Sequence, residues 1–322
     1  MNNIIKEIGE FIAENDNFLI TSHFSPDGDN LGSCIAFHLM LKKLGKSSII
    51  VNEDKLVNRF EFLLPKKANA FKQFSEMNVD KKYDNVIIVD TANIDRIGKV
   101  TELFSENVSI INIDHHFTNA MFGSINFVDG NVASASQLVL QIFKGNDLPI
   151  TKEVSDAILA GVLSDTGGLK FRNTNIEVIS NVKDLMEYGS DLADITNRIF
   201  SSMSYSEIMK VNNVTSKIKL YEKEKIAVAY NDQQNNPLEE NEPVLMTLNS
   251  IEEADVFLFV RRADEGKLKI SLRSDSDFNV SDFAGQWGGG GHKNAAGMRY
   301  NGSFEEFNAD VLDKLKKEVT RG

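Results

Sequence analysis

Apolar and polar residues alternate along this chain with two periods, and the switches between them mark its elements. Ile4, Ile5, Ile8, Phe11 and Ile12 recur at helical spacing and predict an amphipathic helix over residues 3–14. Phe18, Leu19 and Ile20 begin a first strand over 17–22, and a polar loop follows to residue 30. Leu31, Cys34, Ile35, His38 and Leu39 then trace one face of a helix over 31–44, ended by Gly45. The periodicity explains His38 as a packed, hydrogen-bonded member of that face. Runs rich in Ile and Val predict strands at 47–51, 85–90 and 107–113, with a short crossover at 95–104. Helical patterns return at 133–144, 151–162 and 175–188, whereas 52–83 does not resolve into clear elements. This alternation predicts a parallel sheet wound with helices.

The pattern changes after residue 190. Residues 191–212 read as a helical connector, followed by strand-like runs at 215–221, 225–230, 254–261 and 267–273, a glycine-rich loop and a closing helix over 304–319. The polar run 232–243 reads as a surface loop. The fold class is therefore α/β with two domains: a larger parallel-sheet domain over 1–190, a linker over 191–212 and a smaller α/β domain over 213–322.

Composition narrows the function. With 35 basic against 47 acidic residues, the 322-residue chain carries a net charge of −12, which argues against a long duplex nucleic acid as partner. A small phosphate substrate remains compatible, because a few cations can make a local positive pocket. The single cysteine, Cys34, excludes a disulfide framework and a thiolate metal site. The amino end lacks a basic segment leading into an apolar one, and no apolar run reaches membrane-spanning length, so the expectation is a soluble cytoplasmic protein with no membrane partner.

Candidate chemistry gathers where elements end. His23, Asp27 and Asp29 follow the first strand, Asp90 closes another, Asp114, His115 and His116 close a third, and Asp165 follows an apolar helix. The C-terminal edge of a parallel sheet is where α/β proteins place their sites. Gly28 between Asp27 and Asp29 is expected to let that loop turn tightly, with Pro26 fixing its approach. An Asp-Gly-Asp run alone is common in ordinary turns; four such stretches, each at an element end, are not. Carboxylates mixed with imidazoles suit manganese, iron or cobalt, with zinc also compatible. Four carboxylates against two dications leave a nearly neutral cluster, which a phosphate can approach and two metals can clamp.

In the second domain, Gly288, Gly289, Gly290 and Gly291 are followed by His292 and Lys293. Four glycines let backbone N–H groups approach an anion as a nest, and the residues after them add positive charge. Arg273, at a strand end, is the natural second phosphate contact. Arg261 and Arg262 are further candidates, or else a solvated strand edge. Trp287 is read as packing rather than as a base-stacking ring.

The set His23, Asp27, Asp29, then Asp90, then Asp114-His115-His116, then Ser164-Asp165-Thr166-Gly167 resembles the four motifs of the DHH phosphoesterases, and residues 288–297 resemble the glycine-rich signature of the DHH-associated C-terminal domain. The resemblance covers nearly the whole chain without a departure at a motif position. It implies two manganese ions, with magnesium or cobalt as substitutes, in the cleft between the domains. It implies further that His23 and Asp27 hold one metal, that Asp29, His115 and Asp165 hold the other, and that Asp90 bridges them. Asp114 would support an imidazole and His116 would contact the scissile phosphate. Arg273, Gly289, Gly290, Gly291 and His292 would hold the substrate's terminal phosphate. RecJ-type exonucleases carry additional domains, family II pyrophosphatases have a different second domain, and membrane-bound cyclic-dinucleotide phosphodiesterases need spanning segments. What remains resembles the stand-alone bacterial nanoRNases, which act on very short RNA and often on 3′-phosphoadenosine 5′-phosphate (pAp). Alternatives are a cyclic di-AMP or pApA phosphodiesterase and, in another class, a nucleotide sensor without turnover. The resemblance is also compatible with a homodimer.

Overall fold

The computed structural model describes residues 2–64, 70–232, 238, 241–263 and 266–320. The chain divides into two compact units, Met1–Ser202 and Met203–Gly322. The expected linker is shared between them.

In the first unit the elements run α1 (Asn2–Glu14), β1 (Phe18–Ser22), α2 (Gly28–Lys43), β2 (Ser48–Asn52), β3 (Phe71–Gln73), β4 (Tyr83–Val89), β5 (Phe104–Asp114), β6 (Ile125–Val128), α3 (Ala135–Gly145), α4 (Lys152–Asp165), α5 (Ile176–Glu187) and α6 (Leu192–Phe200). The six strands are parallel in the order β3-β2-β1-β4-β5-β6. The order reverses direction between β1 and β4, and α/β proteins bind ligands in the crevice at such a switch point. Both sheet faces are buried, as parallel sheets require. On one face Phe18, Ile20, Ile87, Val89, Ile111 and Ile113 pack with the helices. On the other, Leu19, Val86, Ile88 and Ile110 meet Ile97, Val100 and Leu103, which belong to the 3-10 segment Ile94–Leu103 that replaces a full crossover helix. His38 donates or accepts one hydrogen bond to Ser48 Oγ at 2.9 Å, in keeping with a packing role. The strands β3 and β6 were not anticipated. They are three and four residues long, too short for an alternating pattern to register.

The second unit contains α7 (Tyr205–Thr215), β7 (Lys219–Tyr221), β8 (Ile226–Asn231), α8 (Glu242–Asn249), β9 (Val256–Arg262), β10 (Lys267–Ser274), α9 (Val280–Gly285), β11 (Gly290–His292) and β12 (Ala295–Asn301). A closing helix follows as α10 (Phe304–Phe307), a π-turn (Asn308–Leu312) and α11 (Asp313–Val319). Its mixed sheet has the order β11-β12-β10-β9-β8-β7, in which only β8 and β9 run parallel. On β10 the alternate residues Leu268, Ile270 and Leu272 enter the core beside the closing helix, so Lys269, Ser271 and Arg273 face the other way. Of the polar run 232–243, residues 233–237, 239 and 240 lie outside the described residues, and Glu242 opens α8.

The glycine-rich stretch is a hairpin rather than an irregular loop. Gly290 pairs with Gly297 and His292 with Ala295, and β11 forms the edge of the sheet. A Cβ on Gly289 would lie 2.3 Å from the Gly297 carbonyl oxygen, and one on Gly291 would lie 2.3 Å from that of Ala295. Close strand approach, more than loop flexibility, requires glycine there.

Candidate metal centre

Three neighbouring strands deliver the central residues of the first unit in one row. Ser22 of β1 is level with Val89 of β4, and Val89 is level with Ile113 of β5. The next residue of each strand path is His23, Asp90 or Asp114, at the C-terminal edge of the sheet. Asp90 turns there with φ of 49°, a left-handed conformation uncommon outside glycine and asparagine. Its carboxylate lies between the His23 and His115 imidazoles.

Two helix ends close the site. Helix α2 begins at Gly28, three residues earlier than the pattern predicts, because Asp27 caps it by accepting N–H bonds from Asp29 and Asn30. Asp27 and Asp29 are therefore the cap and first turn of a helix, not a free loop. Gly28 is small for a reason of space: a Cβ there would meet Ser164 Oγ at 2.4 Å and the Phe60 ring at 2.7 Å. Asp165 arrives as the last residue of α4.

Side-chain geometry divides these residues into two groups that share Asp90. In the first, His23 Nε2 lies 3.5 Å from Asp90 Oδ2 and 3.8 Å from Asp27 Oδ2. In the second, His115 Nε2 lies 3.4 Å from Asp90 Oδ1, 3.3 Å from Asp165 Oδ2 and 3.9 Å from Asp29 Oδ2. The two oxygens of one buried carboxylate thus face two different imidazoles. His23 Nδ1 is 2.8 Å from the Phe24 carbonyl oxygen, which only accepts, so Nδ1 carries a proton and Nε2 is the nitrogen turned to the carboxylates. A backbone carbonyl holding the far nitrogen is how histidine ligands are commonly oriented.

Asp29 is wholly buried, and its oxygens accept the N–H groups of Ala135 at 2.6 Å and Ser136 at 2.9 Å. Those amides belong to the first turn of α3, where the helix dipole favours negative charge. Asp114 accepts from His116 Nδ1 at 2.7 Å through one oxygen and from Asn119 Nδ2 at 2.6 Å through the other. His116 also stands 3.7 Å from Asp90 Oδ1.

Crowding four carboxylates, with Asp29 and Asp90 buried, Asp165 partly buried and Asp27 half-exposed, perturbs all of them. Burial, then the charge of Asp90, pushes Asp29 up to about 7. Burial and the charge of Asp29 hold Asp165 well above the usual carboxylate range, and burial with Asp90 raises Asp27. Burial opposes ionisation of Asp90 too, yet hydrogen bonds from His115 and His23 outweigh it and hold Asp90 well below that range. Burial would lower His23, but Asp90 and Asp27 overcome it and push it up to about 9; His115 is raised well above its ordinary value by Asp90 and Asp165. A cluster that traps protons to relieve its own charge is built to receive cations. Its mixture of imidazole nitrogen and carboxylate oxygen suits divalent metals, and the buried Asp90 Oδ1 stands between the His115 and His116 imidazoles at 3.4 and 3.7 Å. The donor set fits a divalent metal.

In the second unit, Arg273 is level with Ala295, which is level with His292, so the register puts Arg273 and His292 on one face of the sheet. Arg273 donates to the Leu272 carbonyl at 3.1 Å and meets Glu242 at 3.4 Å. Trp287 packs edge-on against Tyr300 with ring centroids 5.9 Å apart, a packing role as expected. Sequence reasoning missed Asn119, Glu242 and the amides of Ala135 and Ser136. Ser134, the cap of α3, was a readable signal for the last of these.

Comparison with known proteins fits this geometry. Residues 17–162 match the DHH family, N-terminal domain, and residues 214–321 match the DHHA1 domain. The chain is 32% identical over 307 residues to the bifunctional oligoribonuclease and PAP phosphatase NrnA of Thermus thermophilus, covering 94% of this chain and 90% of that one. The chain belongs to the DHH family. DHH proteins hydrolyse phosphoester bonds with divalent metal ions, and this chain is a phosphoesterase of that family. A relative named bifunctional oligoribonuclease and PAP phosphatase NrnA in Bacillus subtilis is 22% identical over 90% of this chain and 91% of its own. The fold is also that of an exopolyphosphatase-related protein from Bacteroides fragilis, at TM-score 0.87 and 23% identity over 100% of this chain and 97% of that one. Among the described residues, no helix is long and apolar enough to cross a membrane.

Proposed function

We propose that this DHH-family protein is a manganese-dependent, two-metal phosphohydrolase that converts very short oligoribonucleotides and pAp to mononucleotides. The observation that carries the reading is Asp90, whose two oxygens face separate imidazole–carboxylate groups. His23 and Asp27 would hold one ion, Asp29, His115 and Asp165 the other, and Asp90, lying within 3.5 Å of both imidazoles, would serve both. Bound there, the two cations supply neutralising charge for the phosphate and lower the pKa of a nucleophilic water.

The chain's own residues do the rest. Asp114, itself held by Asn119, fixes the His116 imidazole through Nδ1, which commits Nε2 to the scissile phosphate. With a proton also on Nε2, the imidazolium would donate from Nε2–H to a phosphate oxygen as charge builds there. Helix α3 holds Asp29 through two amides, so that ligand does not swing as charge is redistributed. In the second unit Arg273, His292 and the glycines Gly289, Gly290 and Gly291 at the start of β11 grip the substrate's far phosphate. With a net charge of −12 the chain offers no long basic track, so affinity comes from a few anchored phosphates. The strong identity to the Thermus thermophilus protein supports the substrate class.

The test is a product time course with manganese, giving the purified protein a five-residue RNA, pApA, pAp and cyclic di-AMP in parallel. Release of mononucleotides from the linear RNAs and cleavage of pAp, with the cyclic compound left intact, is the expected result. Faster opening of cyclic di-AMP would replace this reading with second-messenger turnover.

A further inference from the structure

Next to His116 in the chain is an aromatic residue that the chemistry above does not use. Phe117 is 81% exposed. Scattered exposed apolar residues need no explanation, but the turn that carries this one is tied down at several points. The turn His116–Asn119 is closed by the Asn119 N–H donating to the His116 carbonyl at 3.1 Å, with Phe117 at its tip. Asn119 Nδ2 lies 2.6 Å from Asp114 Oδ2, 2.9 Å from Asn112 Oδ1 and 3.2 Å from the Thr91 carbonyl, tying the turn to the ends of β4 and β5. The next residue is pinned as well, by the Ala120 N–H donating to the Ala92 carbonyl at 2.8 Å. The ring itself rests against Gly130, where a Cβ would come within 2.5 Å of it. One side of the ring is thus propped on backbone and the rest is open to water, on a turn with little freedom to collapse over it.

The position matters as much as the exposure. Phe117 is one Cα step, about 3.8 Å, from the residue that meets the scissile phosphate. In an acidic chain, phosphate contacts are few, and a π-face adds affinity without charge. Every nucleobase has such a face, so stacking serves a substrate class whose sequence is not read.

We propose that Phe117 is a stacking platform for the nucleobase next to the phosphate under attack, and that it sets the preference for nucleotides over other phosphoesters. This rests on the reading of the site as a nucleotide phosphohydrolase. Gly130 is its positioning residue, since any side chain there displaces the ring.

The experiment compares wild type, Phe117→Ala, Phe117→Trp and Gly130→Ala with manganese on pAp, a diribonucleotide and the base-free ribose 3,5-bisphosphate. For Phe117→Ala, kcat/KM for the base-bearing substrates relative to the base-free one falls roughly 5- to 150-fold, the range that loss of one base–aromatic stack produces. Phe117→Trp retains or exceeds the wild-type ratio, and Gly130→Ala reproduces part of the loss. Equal losses on all substrates, or an unchanged ratio, would overturn the assignment. Wild-type protein that cleaves only the base-free bisphosphate would also overturn it. No turnover of any of the three would overturn the nucleotide reading itself, and this one with it.

Discussion

The substitution Gly32→Ala tests whether the site depends on how closely α2 and α4 approach. A Cβ at residue 32 would lie 2.4 Å from the Ala157 carbonyl oxygen and 2.9 Å from the Gly161 nitrogen. Both are backbone atoms, so no side-chain rotation relieves the clash. Ordinary contact begins near 3.4 Å, and the two helices must part by about 1 Å. Alanine in place of a helical glycine gains about 1 kcal/mol from propensity, while overpacking costs about 1–3 kcal/mol. The net loss is therefore between about 0 and 2 kcal/mol, and at about 2–4 °C per kcal/mol for a unit of this size the Tm falls by at most about 8 °C. Activity suffers more. Asp29 lies one turn before Gly32 on α2, and Asp165 lies one turn after Gly161 on α4, so the parting moves two members of the same cluster against each other. A misplacement of about 1 Å at a reacting centre costs about 10²-fold in rate. Differential scanning calorimetry and steady-state kinetics with manganese measure the two effects. Gly285→Ala is the control, since a Cβ there meets nothing within 4 Å. A Gly32→Ala protein with wild-type kcat would refute the dependence on helix spacing.

Three further outcomes follow from the same geometry. Asp90→Asn keeps a residue tolerant of the left-handed backbone but removes the shared carboxylate; turnover falls by about 10²–10³-fold or more, as for loss of one preorganised electrostatic group, and titration with manganese shows weakened binding of both ions. Arg273→Ala raises KM for substrates with a remote phosphate while kcat changes little, because the lost contact is made equally in ground and transition states; an unaltered chain-length profile would remove Arg273 from the site. Metal binding releases protons, as calorimetry in two buffers of different ionisation enthalpy would show. The signs follow from the raised pKa values. His23, raised from 6.5 to about 9, stabilises the metal-free fold fully below pH 6.5 and loses that contribution as pH climbs through 9. Asp29, raised from 3.8 to about 7, loses its own contribution as pH rises through 7. The metal-free protein therefore weakens from about pH 4 to 7 through Asp29 and on to about 9 through His23, while metal affinity rises across the same window, so a chelator lowers Tm most at the alkaline end.

The sheet was legible because strands buried on both faces spell themselves out. Ile110, Ile111 and Ile113 ahead of Asp114 leave little ambiguity about where β5 stops, and the polar residue at each such stop gave the site. Helix α2 was placed three residues late because Asp27, Gly28 and Asp29 look like turn residues, and a capping carboxylate differs from a loop carboxylate only in what its oxygens accept. The cradle of Asp29 is a contact between residues more than a hundred positions apart, which no local pattern encodes. The glycine hairpin was misread for the opposite reason. Its local composition says loop, whereas its conformation is set by the strand it lies against. Nothing in the neighbourhood of Asn119 says that it braces Asp114.

The strand order of the first unit has a consequence for assembly. Phe18 pairs with Asn85, and Val89 with Ile113, so the row that carries His23, Asp90 and Asp114 exists only after separate segments have joined. Asp165 is added later still along the chain, at the far end of a helix that must seat against α2. A chain emerging from synthesis therefore holds no complete set of donors until α4 has been made and packed. Cations then act on the finished fold: they brake its unfolding and leave its rate of formation to the slow, long-range pairing of parallel strands.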